Sequence, residues 1–319
     1  MYRIVRYSKE YYHLWNEFVA ASKNGTFLFH RDFMEYHADR FTDHSLLIFD
    51  GEKLVGLLPA NIEEDVLYSH RGLTYGGLVL PLETRQERVL GIFKALLEYC
   101  NNIGITKILL KCIPYIYHKK PAQEMEYALF LANANLLRRD TLSVIESPDK
   151  AVFTTNKNQS IQKGIKHNLE VQETEDFEGF WNTILIPNLE VRHQAKPVHT
   201  ALEMKLLKDS FPQNIRQFNV FQQGKLVAGS TVFVTDTVVH VQYISGNDEK
   251  NVLGSIDFLF SVLIKDIFRE SKYFDFGSSN EDGGRFLNGG LSFWKESFGA
   301  SSVTHDFYDV ATENFVLLP

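Results

Sequence analysis

The spacing of apolar and polar positions changes period repeatedly along the chain, and each change marks an element. Residues 2–5 alternate as a short strand, and KEYYHLWNEFVAAS then places Tyr11, Leu14, Trp15 and Phe18 on one face at helical spacing. HRDFMEYHADRF predicts a second helix that leads into the strand SLLIF. Asp50-Gly51 turns that strand into KLVGLLPANI, because glycine accepts positive φ, and GGLVL supplies another strand. From Thr84 the run ERVLGIFKALLEYC predicts a long helix. The buried strand ITKILLKCI, a helix around AQEMEYALFLANA and a strand near LSVI complete the first half.

Residues 146–150 (ESPDK) form a polar break, which sets the expected domain boundary: 1–148 and 149–319. Beyond it come a basic helix (NQSIQKGIKHNL), a strand at 170–174, the helices FEGFWNTILIPNL and ALEMKLLKDSF, and the strand IRQFNVFQ. Gln223-Gly224 turns into KLVAGSTVFV, and VVHVQYI follows as a third strand. A long helix over about 255–269 precedes the strand YFDFG, a glycine-rich loop, the short helix LSFWKESF and a closing strand VTHDFYDV. Both halves therefore read helices, an antiparallel meander, a long helix, a strand, a helix and a strand. GEKLVGLLPA and QGKLVAGSTV match as hairpin plus second strand. That order predicts two tandem α/β (α+β) domains, each with a mixed, largely antiparallel sheet flanked by helices, rather than a doubly wound parallel sheet.

Composition agrees with a folded protein: apolar residues are 44% of the 319, charged residues 23%, and 25 Phe with 14 Tyr can fill two cores. The formal charge of -7 opposes broad association with DNA or anionic lipid, while leaving a local basic groove open. The first residues carry charges throughout, with no apolar signal core, and no run approaches about 18 uncharged apolar residues, so a cytoplasmic protein without an integral membrane segment is expected. Cys100 and Cys112 read as core thiols, which suits a reducing compartment.

Three loops concentrate polar and aromatic groups. In SHRGLTYGGL, Arg71 can pair bidentately with an anionic group, His70 can accept an amine proton, and Tyr75 stands beside them; a solvated loop is the plainer alternative. KCIPYIYHKKPAQEMEY follows a buried strand, so Lys111, Tyr115, Tyr117, His118 and Glu124 can line an acceptor pocket, although Glu124 also suits the first turn of a helix. FDFGSSNEDGGRFLNGGLSFWKESFG delivers Asp275 and Arg285 on a strand and a glycine-rich loop. Other chemistries fail. His193 and His199 are six apart across a proline, unlike helical zinc spacing, so no metal is expected. No G-x-S-x-G elbow is present, and DFG lacks the remaining kinase elements.

The order of elements, carried by FHRDFMEYHADRFTDHSLL, SHRGLTYGGL, KCIPYIYHKKPAQEMEYAL, IQKGIKHN, PVHTALEMKLLKDSFP, HVQYISGN, FDFGSSNEDGGRFLNGGL and FWKESFGA, resembles the FemAB-like branch of the GNAT superfamily over essentially the whole chain. The resemblance implies tandem acyl-CoA N-acyltransferase folds, a bacterial cell-envelope setting, and acyl transfer from acetyl-CoA or another acyl-CoA to an amine, for instance on an amino sugar or nucleotide-linked sugar held between the halves. It implies donor contacts at Tyr243, Ser245, Gly246, Asn251, Gly254, Ser255 and Asn288, and a catalytic Lys295 with a base from His70 or Glu124. The phosphate-binding turn departs from the family pattern: Asn251 and Ile256 stand at its ends and only Gly254 matches. Two rivals follow. One is a FemX-type enzyme using aminoacyl-tRNA in peptidoglycan synthesis, with tRNA as partner; the other is a non-catalytic binding module of the same fold.

Overall fold

The computed structural model describes residues 2–319, except the side chains of Arg192 and His193; the His193 side chain of the excluded zinc pair thus lies outside the described residues. β1 (Tyr2–Arg6) leads to α1 (Tyr12–Ala21); of its expected face Trp15 is buried and Phe18 half-buried, but Leu14 is exposed and Val19 is buried in its place. The second helix is shorter than expected: α2 (Arg31–Met34) gives way to a 3-10 turn over Glu35–His37, then β2 (Thr42–Asp43). β3 (Leu46–Asp50) and β4 (Lys53–Leu58) form the predicted hairpin, with Gly51 at φ 60°. The second strand does not continue through Pro59, because proline lacks the N–H a ladder needs; the chain resumes as β5 (Asn61–Glu63) and β6 (Val66–Tyr68). GGLVL is not a strand, and contributes only an isolated bridge between Val79 and Leu57. α3 (Gln86–Asn102), β7 (Lys107–Lys111), α4 (Glu124–Leu131) and the long β8 (Asn135–Glu146) follow.

In the second half the expected elements appear in order: α5 (Thr155–Lys166), β9 (Leu169–Thr174), α6 (Phe177–Phe180), a π-turn over Trp181–Leu185, α7 (Ile186–His193) and α8 (Ala201–Ser210). β10 (Ile215–Gln222), β11 (Lys225–Val234) and β12 (Val238–Gly246) make the meander. α9 (Lys250–Leu253), α10 (Ser255–Val262) and a π-turn over Leu263–Ile267 precede β13 (Tyr273–Ser278). The small hairpin β14 (Asn280–Glu281) and β15 (Phe286–Leu287), α11 (Gly289–Glu296) and β16 (Ser301–Ala311) close the fold.

The chain forms two compact units. The first holds Met1–Asp140, Gly283–Arg285 and Thr304–Pro319; the second holds Thr141–Asp282 and Phe286–Val303. The division therefore falls inside β8, between Asp140 and Thr141, rather than at 148, and the last strand returns to the first unit. A polar break marks where a chain can turn, whereas a unit is defined by packing, and β16 packs beside β7: Phe307 faces Lys111 and Val310 faces Ile108. In the first unit β1, β3 and β4 form one small sheet, and β2, β5, β6, β7, β16 and the first half of β8 are neighbours in that order. In the second unit the order is the second half of β8, then β13, β12, β11, β10 and β9, mixed but largely antiparallel. Phe218, Phe260, Phe274 and Phe298 anchor the core of this unit, where α10 packs on the sheet. α3 supplies Phe93, Leu96, Leu97 and Cys100 to the core of the first unit. Both cysteines are free; burial pushes the Cys100 thiol up to about 12.

Candidate active site

Parallel β12 and β13 stay paired for only three positions: Val238 with Tyr273, Val239 with Phe274 and His240 with Asp275. Past that point β13 bends away, with Gly277 at φ 72° and Ser278 facing Leu142 of β8. β12 continues beside β11 but carries a bulge at Gln242, since Thr231 faces Tyr243 while Val232 faces Val241. A bulge leaves its extra residue outside the ladder and re-aims the strand beside it. Here the strands fork.

At the fork His240 Nδ1 lies 2.9 Å from Asp275 Oδ2, and the other Asp275 oxygen accepts the Gly277 N–H at 2.7 Å. Asp275 is fully buried. A carboxylate on Nδ1 fixes that proton there and leaves Nε2 as the basic nitrogen. Lys295, on α11, donates to the carbonyls of Gly277 at 2.9 Å and Ser278 at 2.8 Å. It is 4% exposed, and burial lowers its pKa to about 8, against the opposing pull of Asp275. Two of its three N–H groups hold backbone, so Lys295 braces the bent strand, and the catalytic role expected of it is left one N–H. Asn288 is a helix cap: its Oδ1 accepts the Leu291 N–H at 3.0 Å and its Nδ2 donates to Glu281 at 2.8 Å. Arg285 is exposed in the hairpin loop and belongs to the first unit.

Farther along β12, the Tyr243 hydroxyl accepts the His199 backbone N–H at 3.1 Å and lies 2.6 Å from His199 Nδ1. Asn188 of α7 donates to Ser245 Oγ at 2.8 Å and to the Gly246 carbonyl at 2.6 Å. Tyr243 and Ser245 thus face the segment around α7 and α8, whereas a Cβ at Gly246 would point the other way, to Lys250 of α9 and Ile256 of α10. The turn expected to cradle pyrophosphate is covered instead. Gly254, at φ 65°, packs so closely on the Ser160 carbonyl of α5 that a Cβ there would overlap it. Gly164 of α5 abuts Phe258, and Ser255 is fully buried. A buried ion pair, Lys157 to Asp257 at 2.8 Å, clamps α5 onto α10, with Trp294 donating to the same Asp257 oxygen at 2.7 Å. Asn251 stays exposed, its carbonyl accepting from Lys163 at 3.3 Å. A helix N-terminus binds phosphate only where its N–H groups are open to the ligand, and α5 packs against the start of this one at Gly254.

The corresponding fork of the first unit is filled by its own chain. β6 and β7 pair through Tyr68 and Leu109. Ser69 N–H then donates to the Leu109 carbonyl at 2.9 Å, Lys111 N–H to Ser69 Oγ at 2.8 Å, and Gly76 N–H to the Lys111 carbonyl at 2.6 Å. Gly76 is needed because a side chain would collide with the Ser69 carbonyl. His70 sits at φ 66°, 4% exposed, against His37 and Phe41; burial first, and His37 second, lowers it to about 3, too weak a base for an ammonium acceptor. Arg71 is an exposed ion-pair partner of Glu63 stacked on Tyr68.

The sequence-predicted acceptor cluster is likewise mostly interior. Tyr75 and Tyr117 pack ring to ring at 4.3 Å inside the core, and Tyr75 donates to Thr26 at 3.1 Å. Lys111 donates to the Leu73 carbonyl at 2.6 Å, and burial lowers it to about 8. Glu124 is the 2.5 Å ion-pair partner of the buried Lys23, and burial lowers His118 to about 4. Tyr115 alone of this group is exposed. The cavity beside His118 holds about 30 Å³, room for a water molecule and not a sugar. Among the described residues, no group of three or more His, Cys, Asp or Glu is placed to hold a metal ion, and no helix is long and apolar enough to cross a membrane.

Of the predicted residues, the structure brings Asp275 and Lys295 together at the fork. It adds His240, which is absent from the sequence-based expectations. A single histidine in the apolar strand VVHVQYI, facing an Asp in FDF, was the available signal, but only the pairing register joins them.

A fork of this kind between two parallel strands, with a long helix packed on the sheet, defines the GNAT acyltransferase fold, and solved structures share it over nearly the whole chain. FemX superposes with a TM-score of 0.70 at 11% identity over 98% of both chains. L-PGS from Bacillus licheniformis does so at 0.61 and 9% identity, over 94% of this chain and 91% of that one. A tandem GNAT protein of the clavulanic acid biosynthesis pathway does so at 0.53 and 10%, over 98% and 99%. The fold is therefore the FemAB-like tandem GNAT fold. No protein-family model and no curated protein matches the sequence.

Proposed function

We propose that the chain is an N-acyltransferase with one transfer site, at the fork of the second unit. The observation that carries this is the His240–Asp275 pair at the last position where β12 and β13 are joined. The acceptor amine attacks the acyl carbonyl carbon, and the N–C bond forms as the carbonyl π pair moves onto oxygen. The unladdered stretch of β12 around Gln242 supplies N–H donors to that oxyanion, and His240 Nε2 takes the amine proton. Collapse of the intermediate expels the leaving oxygen or sulfur, which receives the proton back from His240. Lys295 keeps Gly277 and Ser278 in place.

The covered N-terminus of α10 supports an ester donor, an aminoacyl-tRNA, over coenzyme A, whose pyrophosphate has no open seat on that helix. The likeness to L-PGS, and to a protein described as a putative lysylphosphatidylglycerol synthetase C-terminal domain, agrees with aminoacyl transfer. The acceptor class is an amine, with amino sugars of the cell envelope as the leading members and the cytoplasm as the setting.

The test is a turnover screen of aminoacyl-tRNAs and acyl-CoAs against amino sugars and their nucleotide-linked forms, at two salt concentrations. His240→Ala is expected to lower turnover about 100-fold or more with little change in melting temperature. Donor affinity should fall steeply with salt if tRNA is bound. Normal turnover in His240→Ala would remove the fork from the mechanism, and turnover with acyl-CoA alone would reverse the donor assignment.

A further inference from the structure

α11 grips the bent end of β13 with two consecutive side chains. Lys295 holds the Gly277 and Ser278 carbonyls, and Trp294 lays its ring against Phe276, centroid to centroid at 5.7 Å. Phe276 stands between Asp275, which holds His240, and Gly277, whose N–H holds Asp275. The shape of the fork therefore depends on how α11 is turned about its own axis. A helix of eight residues is too short to fix that by itself. A long lysine side chain, with its many rotamers, does not fix it either.

The Trp294 indole N–H supplies the missing constraint. It donates to Asp257 Oδ1 of α10 at 2.7 Å, and the Lys157 ammonium of α5 reaches the same oxygen at 2.8 Å. That ammonium lies 5.0 Å from the centre of the Trp294 ring and 4.2 Å from that of Phe298, so aromatic faces enclose it. The Lys157 and Asp257 side chains are only 6% and 16% exposed. A pair so withdrawn from water is a poor source of stability, because desolvation of the two charges offsets their attraction. Apolar side chains of similar volume would hold α5, α10 and α11 together as well or better. What an apolar contact lacks is direction. A carboxylate oxygen accepts an indole N–H over a narrow range of angles, so this bond fixes a rotation that packing alone leaves loose.

We propose that Asp257 and Trp294 are positioning residues of the transfer site: their hydrogen bond sets the rotation of α11 and, through Phe276 and the Lys295 brace, keeps Asp275 on His240 Nδ1. The inference deepens the function proposed above and rests on it. Their effect is exerted on the imidazole and not on the substrate. Without the bond α11 turns and Asp275 moves off the ring. The imidazole proton is then shared between the two nitrogens, and Nε2 is the basic atom in only part of the molecules.

The experiment compares the parent protein with two variants. Trp294→Phe keeps a ring against Phe276 and removes the N–H; the double variant Lys157→Met with Asp257→Leu replaces the ion pair by apolar groups. The readouts are the ¹⁵N shifts of the neutral His240 ring, which report the nitrogen that carries the proton, and kcat and KM with glucosamine as acceptor in the screen above. The double variant is expected to melt at or above the parent temperature. In both variants the two ring nitrogen shifts should move toward each other, while kcat falls about tenfold or more and KM changes little. A bond that only stabilised the fold would leave the ring shifts of the folded protein where they are. That result in Trp294→Phe overturns the proposal, whether or not the double variant folds. The ring shifts need no turnover, so the two readings fail separately. Unchanged shifts beside an inactive His240→Ala enzyme discard the positioning alone, and moved shifts beside a fully active His240→Ala enzyme discard the transfer site.

Discussion

Replacing Lys295 with Met isolates the energetics of the brace at the fork. In the folded protein burial holds the ammonium at a pKa of about 8, against 10.5 for a free lysine. A tenfold change in proton affinity corresponds to about 1.4 kcal/mol, so holding the charged form inside costs roughly 3 kcal/mol. The same ammonium makes two charged hydrogen bonds to carbonyls, each of about 1.5–3 kcal/mol. Near neutral pH these effects oppose, and the variant should lose about 1–2 kcal/mol.

The pH dependence is the sharper test. Between the folded pKa of about 8 and the unfolded 10.5 the unfolded chain binds a proton that the folded chain releases. Stability from this group therefore rises with pH across that window, is complete above it, and is lost as pH falls through 8. Met has no such dependence. Urea denaturation of both proteins from neutral pH to about pH 10 should show the stability difference growing by roughly 3 kcal/mol, with equal m-values. Other buried lysines, Lys111 among them, cancel in the difference. A difference that stays flat over this range would show that Lys295 is not buried against the Gly277 and Ser278 carbonyls.

Two more perturbations probe the parts that close off alternative sites. His70, lowered from 6.5 to about 3, contributes stability that is present above 6.5 and lost as pH falls toward 3. His70→Asn, with a residue that accepts positive φ, should flatten the acid limb of the urea midpoint between those values, and an unchanged limb would contradict the burial of this ring. Gly254→Ala strains a positive φ and meets the Ser160 carbonyl, so it should lower stability by about 1–3 kcal/mol in thermal or urea unfolding. Donor affinity of the folded fraction should not change; a large loss of donor affinity would place the donor on α10 after all.

Much of the fold was legible because local pattern and tertiary packing agree. The strand IRQFNVFQ and the hairpins at Asp50-Gly51 and Gln223-Gly224 stand where alternation and turn chemistry put them. GGLVL shows the limit. It has the residues of a strand, yet its first residue, Gly76, closes the first fork, and Val79 is left with a single bridge. The candidate site was less legible for a related reason. Tyrosines and charged residues crowd KCIPYIYHKKPAQEMEY around His118, but composition cannot distinguish a pocket from an interior, and Tyr117 and His118 turned inward, as did Tyr75 of SHRGLTYGGL.

The sequence by itself determined most of the elements, their order and their duplication, since these depend on periods and turns a few residues long. Packing decided the rest. It ended the first unit inside β8, returned β16 to that unit, and laid α5 over the end of α10. It also placed His240 against Asp275, residues 35 apart in the chain. Contacts across such distances follow from strand register and side-chain volume summed over the whole sheet, which no short window of sequence contains.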